Sequence, residues 1–226
     1  MTPDSDDGHT PGTVPPAEYR RAGCGMRYGE GELKAGIDFS GAAQLRMTAT
    51  ESVLIRDAAE PDAGPIARLA NLAYRGEASR AGWTTEADLL GGQRTDRAMI
   101  LDLLEHARFR LVFEDTTLLA SVQIEPLDVD TAEIGMLAVL PERQGQGIGR
   151  RLLFDAETVA SQNLGARRLR MRVLHQRQEL IDYYQRLGYQ PTGETAPFPE
   201  STRFGEPLVD DLWFVVLEKP VGSEPA

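Results

Sequence analysis

Gly145, Gly147 and Gly149 alternate in the run Gln144-Gly145-Gln146-Gly147-Ile148-Gly149, between an apolar stretch over residues 134–140 and a stretch with helical apolar spacing. A strand, a glycine-rich loop and a helix in that order build a cradle for phosphate. The glycines let main chain approach a ligand closely, and the first free N–H groups of the helix, with its dipole, attract negative charge. A pyrophosphate fits such a cradle. The dinucleotide fingerprint needs G-x-G-x-x-G, which the alternating spacing excludes, and a P-loop is excluded because no Lys-Ser or Lys-Thr pair follows the last glycine.

With the apolar run before it, Pro141 and the helix after it, this hexapeptide resembles the Q/R-x-x-G-x-G/A signature of the GNAT-superfamily N-acetyltransferases. Those enzymes hold the pyrophosphate of acetyl-coenzyme A there. A second stretch, Leu180-Ile181-Asp182-Tyr183-Tyr184-Gln185-Arg186-Leu187-Gly188-Tyr189, is similar to the helix of that family that bears leucine-tyrosine before a leucine-glycine-aromatic turn. The resemblance covers residues 52–218, most firmly 133–189. It implies an acyltransferase that moves the acetyl group of acetyl-CoA to a primary amine by direct attack, the amine belonging to a small molecule, an amino acid derivative or a protein. Two alternatives stay open: a non-catalytic acyl-CoA-binding regulator or sensor, and an enzyme for a longer acyl chain.

Acetyl transfer from a thioester needs a neutral amine, donors for the oxyanion and a proton for the departing thiolate. By the resemblance Tyr184 is the general acid, with Tyr183 second, since a tyrosine is protonated at neutral pH. Tyr184 also lies on the apolar face of its helix with Leu180 and Leu187, where a core aromatic belongs. Glu133 stands where some members carry a glutamate that deprotonates the amine through water, a task suited to a half-buried carboxyl of raised pKa; the other reading is an exposed strand end. Main chain at Leu137, Ala138 and Val139 is implied to pair with pantetheine as an added strand, an N–H there polarising the thioester carbonyl. Gln144, Gly145, Gln146, Gly147, Ile148 and Gly149 are implied to hold the pyrophosphate, with Arg143 or Arg150 adding charge. The family often has asparagine seven residues ahead of its tyrosine; here that position is Arg177, which puts the pantetheine contacts of the helix in question.

The elements that must position these groups follow from spacing. A first strand over 52–56 precedes Glu60-Pro61-Asp62, a helix start, and Ile66, Leu69, Ala70 and Ala73 line one helical face until Gly76. The loop 76–85 carries Arg80 and Trp83, which either line a substrate cleft or serve as surface ion pair and core lid. A helix start is expected at 85–88, then a helix over 97–106 with His106 at its C-terminal end. Strands over 109–113 and 117–124 form a hairpin that feeds the 134–140 strand, expected to be covered on both faces. After the glycine loop and its helix, residues 168–174 alternate arginine with apolar residues, giving one basic strand face. His175 follows as a turn residue, then a helix over 178–187 and strands over 189–193 and 211–218. Such an order makes an α/β (α+β) fold with a mixed, mostly antiparallel central sheet flanked by helices, as in the GNAT fold. In that family the central strand and the next one diverge, leaving a wedge for the pantetheine arm.

Length and composition bound the rest. The 226 residues divide into a loosely packed arm over 1–49, a single domain over 50–220 and a tail over 221–226. Net charge of −11 argues against nucleic acid or an anionic membrane surface and favours cationic partners. Cys24 is the only cysteine, so there is no intrachain disulfide, no cysteine-based metal site is expected, and a reducing cytoplasm fits. No stretch is apolar enough to span a membrane, and Asp4, Asp6 and Asp7 stand where a signal peptide would be basic. A homodimer is left open.

Overall fold

The computed structural model describes residues 53–221. The arm expected over 1–49, with Cys24, and the tail beyond Val221 lie outside the described residues. The first strand, β1 (Val53–Asp57), passes into a 3₁₀ turn at Glu60–Asp62 with proline in its first turn. Asp62 fixes that turn: its carboxylate accepts from Ala59 N at 2.8 Å and from the two Nη atoms of Arg56 at 2.7 and 2.8 Å. The chain continues as α1 (Ala63–Tyr74), α2 (Gly76–Ser79), β2 (Leu90–Gly91), α3 (Arg97–Leu104), β3 (Arg108–Glu114), β4 (Thr117–Pro126) and β5 (Thr131–Val139). Then come α4 (Ile148–Asn163), β6 (Arg168–Leu174), α5 (Gln178–Arg186), β7 (Gln190–Pro197), β8 (Glu206–Pro207) and β9 (Trp213–Pro220).

Where a helix was expected from Thr85, the chain makes one turn only. The N–H groups of Leu89 and Leu90 both donate to Glu86 O at 2.9 Å, after which Gly91 and Gly92 end the coil. The short ribbon β2–β8 forms there instead.

The large sheet has the order β1-β3-β4-β5-β6-β9-β7, and its strands are antiparallel except for β5 with β6. A parallel pair needs a crossover, which the glycine loop and α4 supply. Helices α1 and α3 cover one face, packing Ile66, Ala67 and Ile100 against Phe109 and Leu111. Helices α4 and α5 cover the other, where Leu152, Leu153, Ala156, Ala160 and Ile181 meet β4 and β6. Full burial of a leucine contributes about 1.5–3 kcal/mol, so the α4 stripe holds the crossover on the sheet. Strand β4 is buried throughout residues 119–124, as a central strand should be. Strand β5 departs from the expected two-sided burial: Gly135, Met136 and Leu137 are only partly covered, because pairing with β6 has stopped by then. No helix among the described residues is long and apolar enough to cross a membrane.

One polar cluster sits inside the α4 side of the core. Both oxygens of the buried Glu157 accept from Lys219 Nζ, at 2.9 and 2.8 Å, and Oε1 also accepts from Tyr189 OH at 3.0 Å, so α4 is tied to β9 and to the turn after α5. Glu157→Ala leaves an ammonium and a hydroxyl without their acceptor. The expected loss is about 2–3 kcal/mol of unfolding free energy, read from urea denaturation; a loss under about 0.5 kcal/mol, the scale of an ordinary surface change, would mean the cluster carries no weight.

Candidate active site

The glycine loop turns the chain from β5 into α4. Gly147 is the residue before the helix and takes φ +81°, a left-handed conformation that a side chain would strain. The first bond that Gly147 O accepts comes from Arg151 N at 3.0 Å, so the amides of Ile148, Gly149 and Arg150 stand ahead of the helical ladder and free for an anion. Gly149 brings helix and strand together: a Cβ there would lie 3.2 Å from Val139 Cγ2. A cavity of about 240 Å³ opens over this cradle, lined by the loop, by Leu137 and Val139 of β5 and by Tyr183 and Tyr184 of α5.

The charges expected around the cradle are differently committed. Arg143 lines it, but its guanidinium is held by Glu114 at 2.6 and 2.7 Å. Gln146 Oε1 accepts from Arg143 Nε at 3.1 Å. Arg150 is exposed, lies over the Phe154 ring and lines the cavity. The Gln144 side chain turns inward and clasps the neighbouring loop. Its Oε1 accepts from Trp83 N at 2.9 Å, and its Nε2 donates to Thr84 Oγ1 and Val139 O, each at 3.0 Å.

Arg177 grips the same loop from α5. Its Nη1 donates to Thr84 O at 3.0 Å, its Nη2 to Trp83 O at 2.8 Å, and its Nε to Glu179 at 2.7 Å. Trp83 then packs edge-on against Tyr183, with ring centroids 5.3 Å apart. The family's asparagine is therefore replaced by a residue that holds a loop. Trp83 lines the cradle rather than a separate substrate cleft, and Arg80 lines none of the cavities described here; it pairs with Glu77 at 3.1 Å and Asp88 at 2.7 Å on the surface.

Beside the cradle, between β5 and β6, lies the wedge. Strands β5 and β6 pair only from Thr131–Arg168 to Glu133–Arg170 and then part. On its other side β5 carries a bulge: Gln123 faces Gly135 and Ser121 faces Ala138, so one extra residue is accommodated, with Met136 at φ +40°. A methionine in that region stores on the order of 1–3 kcal/mol, and it does so beside the wedge. Tyr74 OH donates to Leu137 O at 2.7 Å. Leu137, Leu180 and Tyr184 line both the cradle and the wedge. The Tyr184 ring is buried, and burial pushes its hydroxyl well above the ordinary tyrosine value. No side-chain hydrogen bond of Tyr184 occurs among the described residues.

Beyond the wedge, and sharing Glu86, Arg94, Gly135, Met136 and Arg172 with it, is a second cavity of about 250 Å³. Its floor holds Glu133 and Glu125, which face each other across β5 and β4. Arg172 donates to Glu133 Oε1 from Nε at 3.0 Å and from Nη2. Gln123 donates to Glu125 at 2.9 Å. The basic face of β6 is thus turned to carboxylates and not simply to solvent: Arg170 meets Glu218 at 2.8 Å in addition. His106 lies 3.7 Å from Glu125 rather than capping its helix, and His175, half-buried, stacks on Trp213 at 4.2 Å outside these cavities.

Glu133 lines the second cavity, and Tyr184 lines the cradle and the wedge; the wedge shares lining residues with the cavity on either side of it. Glu86, Arg94, Glu125 and Arg172 escape a reading of the sequence, because the turns and ribbon that bring 86 and 94 to the wedge follow from tertiary pairing. Alternation along β4 and β6 is the one local signal that sets Gln123 with Glu125 and Arg170 with Arg172 on common faces.

The profile of the acetyltransferase (GNAT) family matches residues 70–189, more than half the chain, and the protein belongs to that family. No curated protein matches the sequence. Among solved structures the fold is similar to that of a GNAT family acetyltransferase from Elizabethkingia anophelis with acetyl-CoA bound, at TM-score 0.55 and 18% identity over 75% of this chain and 98% of that one. It is similar also to the ribosomal-protein-S18-alanine N-acetyltransferase from Escherichia coli, at TM-score 0.56 and 15% identity over 77% and 97%. An IAA acetyltransferase from Bacillus cereus aligns at TM-score 0.55 and 17% identity over 75% and 100%.

Arg177→Ala removes both bonds that hold the loop carbonyls. Amide hydrogen exchange at Trp83 is expected to quicken by about tenfold or more, equivalent to about 1.4 kcal/mol of lost protection. An unchanged rate would mean that Gln144 alone holds the loop.

Proposed function

We propose that this protein is an acetyl-CoA-dependent N-acetyltransferase acting on a primary amine. The observation that carries the reading is a row of adjoining cavities that share lining residues: a glycine-rich cradle, a wedge between diverged strands and a cavity floored by carboxylates. Two substrates, one in each outer cavity, would meet at the wedge between them. Family membership supports it, as does the likeness to a fold that holds acetyl-CoA and to one named for acetylating a protein alanine.

Acetyl-CoA supplies an acetyl group activated as a thioester. The amides of Ile148, Gly149 and Arg150, with the Arg150 guanidinium, are placed to hold its pyrophosphate, and Gly145, Gln146 and Gly147 shape the turn beneath it. Main chain of Leu137, Ala138 and Val139 offers a strand edge to the pantetheine amides. Gln144 contributes by fixing the loop over the cradle, its amide being engaged already.

Glu133 takes the proton of the attacking amine through water, at Oε2, since Arg172 occupies Oε1. Tyr184 presents its hydroxyl proton to the departing sulfur. Because burial raises its pKa, the hydroxyl stays protonated throughout the working pH range, and hydrogen bonding to the sulfur is its stronger contribution. Arg177, which has a positional task at the loop, accounts for the departure from the family pattern without loss of chemistry.

Saturation with acetyl-CoA at about 100 times Kd should add about 2.7 kcal/mol and raise Tm by several degrees, while a nicotinamide dinucleotide should not. Tyr184→Phe is expected to lower kcat by about 10²-fold with that shift retained. A group with a raised pKa keeps its proton as pH rises, so kcat should show no alkaline fall traceable to Tyr184 below about pH 10. An alkaline limb near pH 8 that vanishes in Tyr184→Phe would contradict this assignment.

A further inference from the structure

The cavity beyond the wedge contains cations as well as acids, and their pairing is incomplete. Arg172 is held by Glu133 and Arg75 by Glu86. Arg94 has no such partner: among the described residues its side chain makes no hydrogen bond and no ion pair, and its guanidinium stands 5.9 Å from the centre of the Tyr74 ring. It is nonetheless firmly placed. Asn71 of α1 accepts from Arg94 N at 2.6 Å and donates to Thr95 O at 2.7 Å, so the main chain on either side of the Arg94–Thr95 bond is pinned.

Two further donors near it are buried without a partner. Thr95 is 1% exposed with Oγ1 unsatisfied, and Arg75 is 6% exposed with Nε unsatisfied; both residues line this cavity. Buried donors left open are uncommon and point to a missing acceptor. The acids, Glu133 with Glu125, stand together on the floor formed by β4 and β5. Arg94 also lines the wedge, where the amine must react, so the acceptor's anion lies only a few bonds from its amine. Apart from Gln123, which donates to Glu125, the rest of the wall is apolar, including Phe198, Phe204 and Phe214. A volume of about 250 Å³ equals that of about eight waters of liquid at ~30 Å³ each, the size of one small molecule.

We infer that the acceptor is a free apolar amino acid or close derivative, its carboxylate bound by Arg94 and its amine directed to Glu133. This rests on the acetyltransferase reading and names its substrate class. In the reaction the amine nitrogen bonds to the thioester carbon and the carbon–sulfur bond breaks. One amine proton leaves to Glu133 through water and the departing thiolate accepts a hydrogen bond from the Tyr184 hydroxyl, while the carboxylate takes no part in bond making. Although the chain carries net charge −11, which repels a free anion, a zwitterion has no net charge to be repelled.

The test compares leucine, methionine and phenylalanine with their amides and with a diamine, by thiol release from acetyl-CoA. Chemistry alone favours the amides, whose amines lose a proton more readily. The free acids are expected to win by 10- to 100-fold in kcat/KM, since a site built for a charged group rejects the analogue lacking it. In Arg94→Met that ratio should collapse, and in Arg94→Lys it should fall to an intermediate value, with the acetyl-CoA thermal shift retained in both as evidence of folding. Amides or the diamine matching the acids would overturn the inference. Calorimetric binding of leucine against leucinamide provides a readout free of turnover. Leucine bound at least tenfold more tightly, with the advantage lost in Arg94→Met, supports the anion subsite even if no thiol is released, in which case the transferase reading alone fails. Equal binding of the two overturns the subsite.

Discussion

Hydrogen bonding between β5 and β6 ends at Glu133 and Arg170, although β5 runs on to Val139 and β6 to Leu174. A parallel pair that closed fully would leave no passage between the two faces of the sheet, and the cradle and the acceptor cavity would be separate dents. The bulge at Met136 bends β5 where the strands part, and α5 and the Arg177 clamp take up the space on the far side. Tyr184 and Arg94 line that opening, and Glu133 and the cradle line the cavities that adjoin it. The fold's contribution to function is therefore a controlled failure of pairing in the middle of a sheet.

The cradle and the loop above it are held by one set of side chains. Gln144, within the glycine run, and Arg177, at the start of α5, both bond to residues 83 and 84, and Trp83 completes the contact through Tyr183. Because the carbonyls of two successive loop residues are taken by one guanidinium, the loop's height over the cradle is set by α5, which also carries Tyr184. Misplacing any one of these elements disturbs the others.

Much of this was legible in the sequence wherever a local rule applied. The alternating glycines and the helix after them gave the cradle, the order of elements matched apart from the short pieces, and 168–174 was read with its observed bounds. Local rules failed where pairing between distant segments decides. The turn at Glu86 looks helical by composition, yet the Arg75 partner and the β2–β8 ribbon claim it. Burial of residues 135–137 follows from a neighbour strand's departure, which leaves no mark in their apolar types. Arg80 and Arg94 are alike on paper; only the fold sets one among surface acids and the other against an aromatic ring beside unpaired donors.

A strand that lacks a neighbour is ordinarily a template on which another chain can add. This sheet has, besides its outer edges at β1 and β7, inner edges along the parted lengths of β5 and β6. They face each other across a narrow gap, and carbonyls along one of them are covered by side chains, Leu137 O by Tyr74 and Val139 O by Gln144. The inner edge of β5 is thus partly closed by the protein's own side chains, as well as by its place inside the sheet.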